Sequence, residues 1–176
     1  MTWHEFALSF ALTVATACAP LSSGEASGPW KAQIVNAENG QPLEGVVVLA
    51  YWIKYEASVG GWAAGKHYDS EEVVTGPDGR FVIGSRWAYT IPGIRKVSGP
   101  EWVIFKPGFG QWRIWNRLEG FGQGEESTIE LPLLRTREER LKFHIVGPAP
   151  VVPPDRMRRL TEALKREDEF LFGRGR

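Results

Sequence analysis

Apolar residues in the middle of this chain alternate with polar ones or run in short blocks, and turn residues separate the blocks. Trp30-Lys31-Ala32-Gln33-Ile34-Val35-Asn36 alternates, which predicts a half-buried strand. Ala37-Glu38-Asn39-Gly40 then supplies a turn, because Asn-Gly accepts the positive φ that tight turns need. Residues 46–53 are continuously apolar and predict a central strand covered on both faces. Over 54–70 the pattern breaks at Gly60, Gly61 and Gly65, which predicts a long loop or an inserted hairpin. Residues 71–75 and 80–83 predict a hairpin around Gly76-Pro77-Asp78-Gly79, and 84–100 reads as irregular. A further strand is expected at 101–105, closed by Lys106-Pro107-Gly108, with 111–115 as its partner. Residues 127–133 read as a closing strand at a sheet edge, since Pro132 cannot donate to a ladder. No helical segment separates these strands, which argues against a parallel α/β sheet and for a small antiparallel β-sandwich over 30–134.

The period changes toward the C-terminus. Residues 135–154 end in Val151-Val152-Pro153-Pro154 and read as an extended linker. Asp155 is the expected N-cap of a helix over 155–173. Met157, Leu160, Leu164 and Leu171 fall at helical spacing there, with Ala163 and Phe170 beside them, and Gly173 can end the helix. Such a stripe docks on the body or on a second copy of the chain, or it binds a membrane surface or a partner.

At the other end, 6–17 is an apolar stretch of 12 residues, short for a bilayer span and suited to a signal-peptide core. Residues 1–17 are therefore expected to be a signal peptide, and 18–29, rich in Ala, Ser, Gly and Pro, a flexible tether. Ala15-Thr16-Ala17-Cys18 resembles a bacterial lipobox, which implies diacylation of the Cys18 thiol and a lipid-anchored mature protein. Ala15 stands where the usual Leu would be, and the leader carries His4 and Glu5 with no Lys or Arg. Plain secretion with a free Cys18 and a buried N-terminal helix are the other readings of this segment. As the sole cysteine, Cys18 excludes an internal disulfide, and an exported free thiol is a liability, which favours the lipidated reading.

Formal net charge is zero, so bulk charge names no partner. The distribution is uneven: residues 135–176 hold 11 Lys/Arg against 7 Asp/Glu, and the rest of the chain 10 against 14. An acidic, exported body is a poor fit to nucleic acid. Three histidines, His4, His67 and His144, are scattered, so no metal-ligand cluster is expected. There is no Gly-x-Ser-x-Gly, and Glu71-Glu72 and Glu125-Glu126 are adjacent, so in strands each pair points to opposite faces. Gly60-Gly61 and Gly120-x-Gly122-x-Gly124 lack the Lys and helix context of phosphate loops. Catalysis is not expected, and no cofactor is implied. Eight tryptophans are many for 176 residues. Most should be core, but Trp62, Tyr68, Trp87, Tyr89, Trp112 and Trp115 fall in loops or after a turn and are the candidate ligand platform.

Three motifs carry a family resemblance: Gly-x-Pro-Leu-x-Gly-Val-x-Val at 40–48, Thr-x-x-Asp-Gly-x-Phe at 75–81, and Pro-Gly-Phe at 107–109. With them the body resembles the carboxypeptidase regulatory-like domain, which implies a Greek-key, transthyretin-like (prealbumin-like) β-sandwich. Gly45 and Gly79 are expected to meet backbone demands that a Cβ would strain. The inserted stretches 54–70 and 84–100 are departures from the compact family pattern. The resulting expectation is a non-catalytic cell-envelope lipoprotein, on the outer membrane or the periplasmic side of a bacterial membrane, that presents its sandwich for protein–protein interaction or structural support. The alternatives are a carbohydrate-binding module using loop Trp and Tyr, and a secreted or periplasmic soluble protein.

Overall fold

The computed structural model describes residues 23–110, 112–113, 126–144 and 149–173, with backbone only at 23–27 and 112–113. The chain is mostly β, with strands β1 Ser23–Ser27, β2 Trp30–Asn36, β3 Val47–Ser58, β4 Gly61–Trp62, β5 Lys66–Val74, β6 Arg80–Ile83, β7 Arg86–Thr90, β8 Arg95–Phe105, β9 Trp112–Arg113 and β10 Glu126–Leu131. Two helices follow, α1 Arg137–Lys142 and α2 Arg158–Phe172, with a 3₁₀ turn at Pro154–Arg156 before the second.

One sheet has the order β10-β2-β6. In the other, β3 is central, with β5 on one side and β8, then β9, on the other; β4 folds back on the end of β3. β1 and β7 form a separate antiparallel ribbon. Among the described residues all ladders are antiparallel except one: β10 runs parallel to β2, where the expected sandwich was antiparallel. The parallel pairing is possible because the chain passes through the other sheet between these two strands, a crossover long enough to return it to the same end of the sheet.

The continuous apolar run at 46–53 becomes the middle strand, as its pattern requires. On one face, Val48, Ala50 and Trp52 join Trp102 and Ile104 of β8 and the inward side chains of β2, β6 and β10 (Trp30, Ala32, Ile34, Phe81, Ile83, Ile129, Leu131) in one core. Trp30 sits 5.7 Å from Trp52 and 6.0 Å from Trp102, ring centre to ring centre, so three of the tryptophans are structural. On the opposite face, Val47, Leu49, Tyr51 and Ile53, with Val103 and Phe105, lie under Ala149, Val152, and Leu160 and Ala163 of α2.

Several local expectations change. Residues 71–75 and 80–83 are strands but not a hairpin, since β5 pairs with β3 and β6 with β2. The Gly76–Gly79 turn carries the chain between sheets because its two ends have different partners. Buried Thr75 donates its hydroxyl to the Leu43 carbonyl (2.6 Å) and accepts from the Val46 N–H (3.0 Å), while the Gly79 carbonyl accepts from the Ile34 N–H (2.8 Å). The stretch 54–70 is the inserted hairpin, and 84–100 contains β7 and half of β8. Part of the expected tether, 18–29, is strand β1. The expected linker, 135–154, contains α1, closed by a capping box between Thr136 and Glu139.

Asp155 is not the N-cap of the C-terminal helix. The 3₁₀ turn occupies that position, and Met157 caps α2 without a side-chain hydrogen bond. Glu72 of β5 supplies the missing acceptor, taking the N–H groups of Arg159 (3.0 Å) and Leu160 (2.7 Å). The other end of the docking is set by Glu167, 5% exposed, which accepts from the Gly108 N–H (2.9 Å) and lies 3.4 Å from Arg140. Leu160, Ala163 and Leu171 of the apolar stripe are buried, Leu164 and Met157 partly so, and Phe170 is exposed.

Three substitutions test this frame. Gly79 has φ +70°, and a Cβ there would lie 2.5 Å from the Ile34 carbonyl oxygen. Gly79→Ala is expected to cost roughly 2–4 kcal/mol in urea unfolding. Gly40→Ala, at φ +69° but with open space around it, should cost about 1–2 kcal/mol. Glu72→Ala should destabilise by about 1 kcal/mol and speed amide exchange at Arg159 and Leu160, with less effect at Gly108.

Candidate functional site

Burial along β3 is complete at Val47–Ile53 and fades to exposure at Ala57 and Ser58. The strand thus outruns the core it crosses. With β4, the start of β5 and the first half of β8 it forms a projecting arm, and the β1–β7 ribbon lies against this arm.

A β-bulge explains how the ribbon is fastened. Trp52 pairs with Asp69 but Ile53 pairs with His67, so Tyr68 is the extra residue. Bulges re-aim side chains, and here the Tyr68 hydroxyl accepts from the Tyr89 N–H (3.4 Å) and donates to the Trp87 carbonyl (3.5 Å). Arg86, at the start of β7, makes the stronger attachment. Its guanidinium reaches Asp69 (2.9 Å) and Glu71 (2.7 Å), and its carbon sits 5.6 Å over the Trp52 ring. Glu71 and Glu72 do point to opposite faces of β5, one to the ribbon and the other to helix α2.

The candidate aromatics therefore divide. Tyr68 is half-buried and straps the ribbon. Trp87 and Tyr89 are 71% and 52% exposed on one face of β7, and their ladder partners are the small residues Ala26 and Gly24. Trp62 is 44% exposed and belongs to a different surface. Lys96 Nζ lies 4.8 Å from the Trp62 ring and 5.1 Å from the Tyr55 ring. Tyr55 shares the face of β3 that bears Ile53, whereas the ribbon is clamped on the Trp52 face, so Trp62 and Trp87 sit on opposite sides of the arm. Trp112 is placed by its backbone in β9, beside Ile104 of β8; Trp115 and Cys18 lie outside the described residues.

Lys96, Arg86 and Tyr55 were not among the sequence candidates. Their roles come from a bulge and a ladder register that alternation does not encode. Among the described residues, no group of three His, Cys, Asp or Glu is placed to hold a metal ion, and no helix is long and apolar enough to cross a membrane. His67, in the arm, contacts the Ser70 hydroxyl at 3.1 Å. Burial disfavours its charged form and Arg156 adds to this, while Asp69 and Asp155 pull the other way; its pKa is lowered.

No protein-family model, no curated protein and no solved structure matches this chain.

The lowered His67 pKa has a definite sign. The unfolded chain takes up that proton at higher pH than the folded one, so the folded state loses stability as pH falls below the ordinary histidine range. In NMR titration His67 should show a midpoint below 6.5, and His67→Gln should flatten the acid side of the stability curve in that window.

Proposed function

We propose that this chain is a non-catalytic binding module of a bacterial cell envelope, anchored by lipid on Cys18 and presenting its ribbon to a protein partner. The observation that carries the reading is the pair Trp87 and Tyr89, exposed side by side on a ribbon held by the Arg86 ion pairs and the Tyr68 strap. Large aromatic area that is already fixed in solvent loses little conformational freedom on binding, which is what an interaction hot spot needs. The body is read as a Greek-key, prealbumin-like sandwich, supported by the single core that both sheets share and by the crossing at Gly76–Gly79. The anchor reading is supported by the lipobox-like Ala15-Thr16-Ala17-Cys18 after an apolar leader.

A second reading has one observation in its favour. Trp87 and Tyr89 are two residues apart on a strand face and opposite small residues, so their rings have clear approaches and a spacing of roughly 7 Å. Such a pair can stack on neighbouring sugar rings of a polysaccharide.

Three measurements test the anchor and separate these readings. The intact mass of the protein from its native membrane fraction should equal residues 18–176 plus a diacylglyceryl group, with or without an N-acyl chain; an unmodified chain beginning at Met1 would sink the anchor. Trp87→Ala should fold normally and weaken capture of the envelope protein partner by tenfold or more, about 1.4 kcal/mol. Tryptophan quenching by a purified envelope polysaccharide, lost in Trp87→Ala, would instead establish the second reading. Capture and quenching both indifferent to Trp87→Ala would remove the ribbon from the function.

A further inference from the structure

The end of the arm collects exposed large apolar side chains. Val59 is fully exposed in the turn between β3 and β4, Ile94 is 60% exposed in the turn before β8, and Trp62 stands beside them on β4. The turns are neighbours, since the Ala57 N–H donates to the Ile94 carbonyl at 2.8 Å. The first residue of β1 is at this same end: Ser23 is in register with Thr90, next to Ile91, which bridges to Arg95.

That register places Ser23 at the tip of the arm. Only four residues separate Cys18 from Ser23. Five steps of extended chain reach at most about 17 Å, whereas a free 18–29 tether would reach roughly 40 Å. A lipid on Cys18 would therefore hold the arm tip, not the body, against the bilayer surface.

The side chains at the tip suit that position. Trp62 is of the type enriched at membrane–water interfaces, and the Lys96 ammonium, held over the Trp62 and Tyr55 rings, places a positive charge beside it. Residues 54–66 and 89–97 contain four cations, Lys54, Lys66, Arg95 and Lys96, against the single carboxylate of Glu56, which both Lys54 and Arg95 approach at 3.5 Å. A net positive rim around exposed apolar groups complements an anionic leaflet.

We infer that the arm tip, through Val59, Trp62 and Ile94, seats in the headgroup region of the membrane, so that the arm fixes the orientation of the body above the bilayer. This rests on the reading of Cys18 as lipidated.

The test uses the full chain isolated from membranes, with single substitutions Val59→Cys, Ile94→Cys and Asn39→Cys labelled with an environment-sensitive NBD dye. Lipid on Cys18 would block the native thiol, and intact mass reads that lipid directly. Position 39 is the control: β2 runs from Trp30, beside the ribbon, to Asn36, and the Asn39 turn lies at the far end. In vesicles of phosphatidylethanolamine and phosphatidylglycerol, dye at 59 and 94 should be blue-shifted and quenched by doxyl-labelled lipid several-fold more than dye at 39. Lipidated protein whose 59 and 94 labels behave like 39 would overturn the inference and leave the anchor standing. A blue shift without lipid quenching would also overturn it, assigning the tip to a protein contact. Unmodified Cys18 would remove the anchor, and the inference with it.

Discussion

Strand β3 is apolar on both faces, and the rest of the molecule is arranged to cover it. Val48, Ala50 and Trp52 need one cover, which β2, β6 and β10 provide; Val47, Leu49, Tyr51 and Ile53 need another, which α2 and the segment before it provide. Full burial of each Val, Leu or Ile among them is worth roughly 1.5–3 kcal/mol, so neither face can be left wet. Helix α2 is thus part of the fold and no appendage. Its apolar stripe supplies the cover, while two carboxylates fix where it lies, Glu72 at its first turn and Glu167 at the Pro107-Gly108 turn. Charged acceptors on backbone N–H groups are among the stronger hydrogen bonds, and buried Glu167 has few ways to be satisfied elsewhere.

What could be read from residues alone follows the range of the signal. Alternation at Trp30–Asn36, the apolar block at 46–53, the strand at 101–105 and the Pro132 edge are local, and each marks a strand or edge, although β3 runs on to Ser58 and β8 begins at Arg95. The stripe at 157–171 also gave a helix. Pairing is non-local and was less legible. Nothing in Gly76-Pro77-Asp78-Gly79 reveals that its flanks belong to different sheets, since the deciding hydrogen bonds come from Leu43, Val46 and Ile34. Asp155 has the right chemistry for an N-cap, yet an acceptor 87 residues before Arg159 holds that helix end.

The candidate surface was legible as a set of aromatic residues and illegible as a shape. A single bulge at Tyr68 turns one candidate into a strap, and the ladder register places Trp62 and Trp87 on opposite sides of the arm. Two of the residues that were missed, Arg86 and Lys96, are charged side chains lying on aromatic rings, and charged residues in a glycine-rich stretch carry no mark of that use. The arm can remain exposed because stability is supplied by the two cores it springs from. Its own side chains are free to differ from those a core would demand.

The parallel β10–β2 ladder also sets a schedule. Lys31 pairs with Glu126, so an edge near the start of the body stays open until a residue nearly a hundred positions later arrives. Loop closure over such a distance costs entropy that the contact returns only at the end, and pairings of this kind slow folding. Until then the chain has an incomplete sheet with an unpaired edge, the state most prone to aggregate. A chain delivered N-terminus first would pass through that state every time, and its folding would finish only after the last strand had been released.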